Sequence, residues 1–293
     1  MPKLQLIISL LIFFVAGSPL AFSQALLPYA IEPELEQMEQ AGIEMAEDAI
    51  QLARFRRTDA ALGRAKLAVQ LAPHLYQTWF ILGSLYLQDD QVQPGIQALN
   101  QSLALAPADA QANIKFSLGS AYFQNQDYQS AIAQIEAGLQ MKPDVSPALF
   151  DLGNSYLKLA QYPDAIAAYE KAVSQDKNFW PAINNIGLVK YEQGDKEAAL
   201  KDWRAALKID PKQLEPQLAI AVAIYSQGKT EEGIKLAQAA LTSDSRYVSL
   251  KFLEENLWGQ RLLQDTEKMF NHPKMKDFIA RLPQPTPEVE EEN

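Results

Sequence analysis

The chain contains no cysteine and only two histidines, His74 and His272. These absences exclude disulfide frameworks, cysteine-based zinc sites, cysteine nucleophiles, iron–sulfur clusters and any histidine-rich metal site. No glycine-rich phosphate loop, no Gly-x-Ser-x-Gly and no His-Glu-x-x-His occurs. His74 beside Pro73 and His272 before Pro273 read as surface turn residues, with no second histidine near either in sequence. Basic excess is missing too. The net charge is −10, with seven acids and no base across residues 32–48 and four more acids across 288–292. The body between these ends is close to neutral, so it has no cationic footprint for nucleic acid. The pairs Asp89-Asp90 and Glu231-Glu232 read as solvated charge in turns. The prediction is a chain without catalytic, cofactor-binding or metal-binding residues. At 48% hydrophobic and 21% charged, it has the composition of a folded soluble body.

The amino terminus carries an apolar run, residues 4–15, after Lys3. Gly17-Ser18-Pro19 and Ala21-Phe22-Ser23 follow. A basic start, a short apolar stretch, a helix-breaking trio and a small-x-small triplet are the parts of a secretory signal. No charge appears before Glu32, however, so about 20 uncharged residues are available, enough to span a bilayer as one helix. A cleaved signal and a retained anchor both fit. Lys3 before the segment and acids after it favour an inside amino terminus and an outside body.

The rest repeats. Gly83, Gly119, Gly153 and Gly187 lie 36, 34 and 34 residues apart, and Ala221 falls another 34 on. Pro73, Pro107, Pro143 and Pro211 keep the same beat, with Lys177 at the missing proline position. The local words agree: Trp79-x-x-Leu82-Gly83-x-x-Tyr86, Leu118-Gly119-x-x-Tyr122, Leu152-Gly153-x-x-Tyr156, Ile186-Gly187. Twelve residues past each glycine stands Gly95, Ala131, Ala165 or Ala199; seven further on stands Ser102, Gly138, Ala172 or Ala206. This pattern resembles the tetratricopeptide repeat, a helix–turn–helix unit of 34 residues. The resemblance implies an all-α right-handed superhelical solenoid, in which small residues let paired helices approach and stacking supplies the core. Units at 42–75, 76–109, 112–145, 146–179 and 180–213 fit, with an eroded sixth at 214–247 and an eroded first. Two extra residues between the second and third units are expected to lengthen that turn. The organisation predicted is 1–23 signal peptide or membrane anchor, 24–41 acidic linker and helix start, 42–247 repeat array, 248–282 capping helices over the last repeat, and 283–293 a disordered acidic tail.

In such repeats the first helix lines the inside of the superhelix, which implies a peptide-binding groove made by Phe80, Phe116, Phe123, Phe150, Asn154, Asn184 and Tyr191. Asn184 and Asn185 join Asn154 in an amide patch able to hydrogen-bond a peptide backbone. The competing reading packs the phenylalanines between first helices as ordinary core. A clamp for acidic carboxy-terminal peptides is disfavoured. Asn154 and Asn185 occupy its asparagine positions, but Phe150, Glu215 and Ala219 stand where its cations belong.

The whole layout adds Leu257-Trp258-Gly259-Gln260-Arg261-Leu262-Leu263 and an acidic tail to an apolar amino terminus and the repeats. It resembles the Pitt family, cyanobacterial repeat proteins that bind light-dependent protochlorophyllide oxidoreductase, with relatives in chloroplasts. That resemblance implies a scaffold at the thylakoid or plasma membrane, supporting chlorophyll synthesis and photosystem biogenesis. Its partner would be the reductase, held as an extended or helical segment. The alternative is an exported soluble adaptor in the periplasm or lumen, serving cell-envelope assembly.

Overall fold

A computed structural model describes residues 34–283, and among them every regular element is helical. The predicted signal or anchor at 1–23, most of the linker and nearly all of the acidic tail lie outside the described residues. Twelve helices form six successive pairs: α1 (Leu35–Arg54) with α2 (Thr58–Leu71), α3 (Tyr76–Gln88) with α4 (Val92–Leu105), and α5 (Ala108–Gln124) with α6 (Tyr128–Met141). Then come α7 (Ser146–Lys158) with α8 (Tyr162–Gln175), α9 (Trp180–Glu192) with α10 (Lys196–Ile209), and α11 (Leu214–Ser226) with α12 (Thr230–Ser243). A 3-10 turn (Ser245–Val248), α13 (Leu250–Glu255), α14 (Gln260–Phe270) and α15 (Pro273–Ile279) complete the array. Helix α1 begins at Leu35, inside the stretch read from sequence as linker and helix start.

Every pair is closed by the same three-residue turn. Its middle residue is left-handed: Arg56, Asp90, Gln126, Ala160, Gly194 and Gly228 have φ between 54° and 91°. The amide of the third residue reaches back to the last turn of the first helix, as Gln91 N–H does to the Tyr86 carbonyl at 2.8 Å. This arrangement satisfies carbonyls that a helix end would otherwise leave open.

Packing between paired helices follows a size rule. A Cβ on Gly83, Gly119, Gly153 or Gly187 would run into Leu99, Ile135, Tyr169 or Trp203 respectively, each sixteen residues further on. The eroded first and sixth units put Ala49 and Ala221 at the glycine position, and their counterparts shrink to Ala65 and Ala237. All four alanines are fully buried. Loss of the glycine is thus matched by loss of the bulky partner, and the close approach survives. Trp203, Tyr169, Ile135 and Leu99 are themselves almost completely removed from water.

Two expectations change. The extra residues between the second and third units do not lengthen the turn. They extend α5 to 17 residues, leaving only Ala106 and Pro107 between α4 and α5. Pro107 sits at the cap with Asp109 in the first turn, a favourable helix start, so helix formation absorbs the insertion. The residues after the array also do more than cover the last repeat: α14 packs on both α11 and α9, two first helices of successive units.

Candidate protein-binding groove

The structure separates the seven candidate groove residues into three settings. Phe80, on α3, lines two adjoining pockets of about 340 and 510 Å³ that share Ile50, Phe80 and Ile81. Ala53, Leu85, Ala110 and Ile114 extend the apolar lining, with Arg54, Gln88, Gln77 and Asn113 at the exposed rim. Ile50 and Ile81 were not singled out from the sequence. Ile81 follows Phe80 on the same helix, and Ile50 lies on the eroded first unit, where the repeat pattern gives no guide.

Phe116, Phe123 and Phe150 are half-buried rings already engaged within the array. The Phe116 ring lies over Gly138 of α6, where a Cβ would come to 2.5 Å of it. Phe150 stands 5.8 Å from the Tyr169 ring and edge-on to Phe179 at 5.5 Å, while Phe123 packs 5.2 Å from Tyr128. Such offset and edge-on contacts are ordinary aromatic packing.

The amide patch turns inward. Asn184 and Asn185 are 1% and 5% exposed. Asn154 Oδ1 accepts from the Tyr169 hydroxyl at 2.8 Å and from Asn185 Nδ2 at 3.0 Å, and Asn184 Nδ2 donates to Asn185 Oδ1 at 3.1 Å. The amides therefore join the fourth and fifth units to each other, and Asn184 and Asn185 offer a peptide almost no exposed surface. Burial drives the Tyr169 hydroxyl far above its ordinary range, so it is a permanent neutral donor in this network.

Two half-buried acids flank the network. Burial raises the Asp151 carboxyl to about 6, with the Ser120 hydroxyl donating to it at 3.1 Å and partly offsetting the rise. Burial raises Glu215 to about 7 against the opposing hydrogen bonds of Asn184 and the Trp258 indole, the latter at 3.2 Å. Neither was recognised in the sequence, where an isolated carboxylate on a helix gives no sign of its depth.

Tyr191 lies under α14 and is fully buried. Its hydroxyl donates to Asp265 at 2.8 Å and lies 3.1 Å from Ser226 Oγ; Lys196 Nζ reaches the same Asp265 oxygen at 3.0 Å. His272 is likewise no open surface residue: its ring meets Tyr225 edge-on at 6.3 Å and its Nδ1 is buried. Among the described residues no cluster of acids and histidines could hold a metal, and no helix is long and apolar enough to cross a membrane.

Comparisons with known proteins bear on this geometry. Models of the tetratricopeptide repeat match residues 76–109, 116–178 and 187–228. The first of these segments coincides with the second unit read from the sequence. No curated protein matches the chain. Among solved structures, a MamA crystal structure is similar at 26% identity, with a TM-score of 0.51 over 56% of this chain and 95% of its own. YrrB, described as a TPR protein with an unusual peptide-binding site, is similar at 16% identity and TM-score 0.51 over 62% of this chain and 93% of its own. PilF of Pseudomonas aeruginosa is similar at 14% identity and TM-score 0.60, over 75% and 98%. These matches support the repeat and not the narrower Pitt-type resemblance. Model matches, helical pairs and structural neighbours agree that the body of this chain is an array of tetratricopeptide repeats.

Proposed function

We propose that the protein is a non-catalytic scaffold that holds a protein partner, as an extended or helical segment, along the first helices of its amino-terminal units. The observation that carries the reading is the apolar double pocket around Phe80, Ile50 and Ile81, rimmed by polar and charged side chains that include Arg54 and Asp109. An apolar surface framed in this way is a binding surface. The described peptide-binding site of YrrB, on the same fold, supports it.

The finer reading sets the scaffold at a thylakoid or plasma membrane, with light-dependent protochlorophyllide oxidoreductase as partner, in support of chlorophyll synthesis and photosystem biogenesis. It rests on the layout of apolar start, repeats, Leu257–Leu263 motif and acidic end. Purified full-length chain titrated with the reductase tests it. Micromolar binding is expected, weakened about thirtyfold by Phe80→Ala, since truncating an anchor commonly costs about 2 kcal/mol. Absence of binding by the wild-type chain refutes the choice of partner. Equal binding by Phe80→Ala refutes the choice of site.

Ala21-Phe22-Ser23 favours a second reading, an exported adaptor in the periplasm or lumen. Carbonate-resistant membrane association of the full-mass chain supports the anchor. Release by carbonate together with loss of about 23 residues supports export.

A further inference from the structure

Helix α14 is a ligand-like object bound to this array by groups far away in sequence. The 34-residue register, with its one 36-residue step, brings Gln88 of the open pocket into correspondence with Glu192 on α9 and Ser226 on α11. The face that is open around Phe80 in the amino-terminal units is therefore the face that α14 covers in the last two.

The seat is built in detail. The Glu192 carboxylate receives the backbone N–H groups of Arg261 and Leu262, each at 3.0 Å, and so caps α14 from another helix. Gly259, just ahead, admits that carboxylate; a Cβ there would collide with it. One turn in, Asp265 takes the Tyr191 hydroxyl and the Lys196 ammonium. Leu262, Thr266 and Met269, at spacing i, i+4 and i+7, form the buried stripe, while Arg261, Gln264, Glu267 and Lys268 face water. Trp258 is anchored through its indole N–H to Glu215.

The tether is made of short pieces. A 3-10 turn and the six-residue α13 lead to α14, and Leu257 between them has a left-handed φ of 68°, a conformation a leucine adopts only under constraint. The fully buried stripe of α14 has three members, one of them a threonine, and Leu263 and Phe270 flank it half-buried against the same core. Most of the specific contacts are charged or polar, made at its start and its first turn.

We propose that the face of α9 and α11 beneath α14 is a helix-docking site which this chain fills with its own residues 258–270. The partner it fits is an amphipathic helix with apolar residues at i, i+4 and i+7, a carboxylate at i+3, and a free amino-terminal turn for Glu192 to cap. Such a helix replaces α14, so the chain's own segment sets the threshold for binding. A tethered competitor lowers the apparent affinity of an outside helix by the fraction of time the seat stands open. The inference deepens the scaffold reading, and it fails separately. The reductase titration with Phe80→Ala probes the amino-terminal units, whereas the experiment below probes only the last two.

The probe is a fluorescent synthetic peptide of residues 256–271, and the protein is the full chain. Asp265→Arg on the chain sets a cation against Lys196 and loosens the tethered helix while leaving the seat unchanged. Anisotropy is expected to show the peptide binding Asp265→Arg at least about tenfold more tightly than wild type. The same peptide carrying Asp265→Arg is expected to bind neither. Hydrogen exchange of the unaltered chain supplies a second reading, independent of any variant. The α14 amides are expected to exchange at least about tenfold faster than those of α9 and α11, as a detachable segment requires. Equal peptide affinity for wild type and Asp265→Arg overturns the proposal. So does protection of α14 equal to that of the helices beneath it, which would make it a fixed cap.

Discussion

Substituting Gly187 by alanine tests the packing rule on which the array depends. The new Cβ would lie 2.5 Å from Nε1, 2.7 Å from Cδ1 and 2.9 Å from Cε2 of Trp203. The indole cannot yield as a flexible chain end would. It is fully buried, stands 5.7 Å from the Tyr191 ring, and donates its N–H to the Asn184 carbonyl at 3.1 Å. Overpacking of this kind costs about 1–3 kcal/mol, and a displaced indole N–H left without its acceptor costs about 1–3 kcal/mol more. Against this, alanine gains about 1 kcal/mol over glycine inside a helix. The net expectation is a loss of about 3 kcal/mol, which at this chain length lowers the thermal midpoint by about 6–12 °C. Gly63→Ala is the matched control. Gly63 lies within α2 on the exposed side and nothing stands within 4 Å of an added Cβ. That variant keeps the helix gain and should melt higher by about 2–4 °C. Melting followed by circular dichroism at 222 nm decides both. A Gly187→Ala chain melting at or above wild type would refute the argument that glycine there exists to admit Trp203.

Glu215 and Asp151 have raised carboxyls, so the fold favours their neutral forms. Their contribution is complete below about pH 4 and is lost as pH rises through about 6 for Asp151 and about 7 for Glu215. Glu215→Gln should therefore flatten the decline in stability between about pH 4.5 and 7, by at most about 3 kcal/mol; an unchanged slope in denaturant titrations refutes it. Tyr169→Phe removes the hydroxyl bonded to Asn154 and near Asn185, and a loss of about 1–2 kcal/mol is expected. A denaturation midpoint equal to wild type would show that the amide network contributes nothing to joining the units. Asp265 behaves oppositely to the two raised acids: burial works to raise it, but the hydrogen bonds of Lys268, Tyr191 and Lys196 prevail and hold it below the usual range. Protection of the α14 amides should accordingly fall as pH drops toward 3, and constant protection across that range refutes the role of Asp265 in seating the helix.

The helical pairing was legible because its cause is local and periodic. Glycine or alanine opposite a large residue, proline at the end and tyrosine three residues past the glycine recur where the same contact recurs. The sites were less legible because they arise where units differ. Phe80, Phe116 and Phe150 occupy one repeat position, yet Phe80 opens onto a pocket, Phe116 covers Gly138 and Phe150 meets Tyr169 and Phe179. The difference comes from neighbours on other helices, which a register cannot report. Asn184 and Asn185 read as a patch because their spacing is visible; their depth is set by Tyr169, Glu215 and Trp258, brought in from elsewhere. The seat of α14 was illegible for the same reason, since Glu192 and Asp265 have no common period.

The reach of α14 has a consequence for how the molecule comes apart. In a linear stack each unit touches only its neighbours, so stability spreads as a chain of local terms and ends can fray one unit at a time. The Tyr191–Asp265 and Glu192–Leu262 contacts, 74 and 70 residues apart, break that locality at one end only. While α14 is seated they tie α9 through α14 into one closed loop, whereas the first three units keep purely short-range connections. With α14 seated, fraying should therefore start from α1 and α2, and release of α14 removes this asymmetry and lets the carboxy-terminal units fray as well. Refolding should show the converse cost. Seating α14 closes a long loop before its contacts form, which makes it the slow step of an otherwise fast, locally wired helical protein.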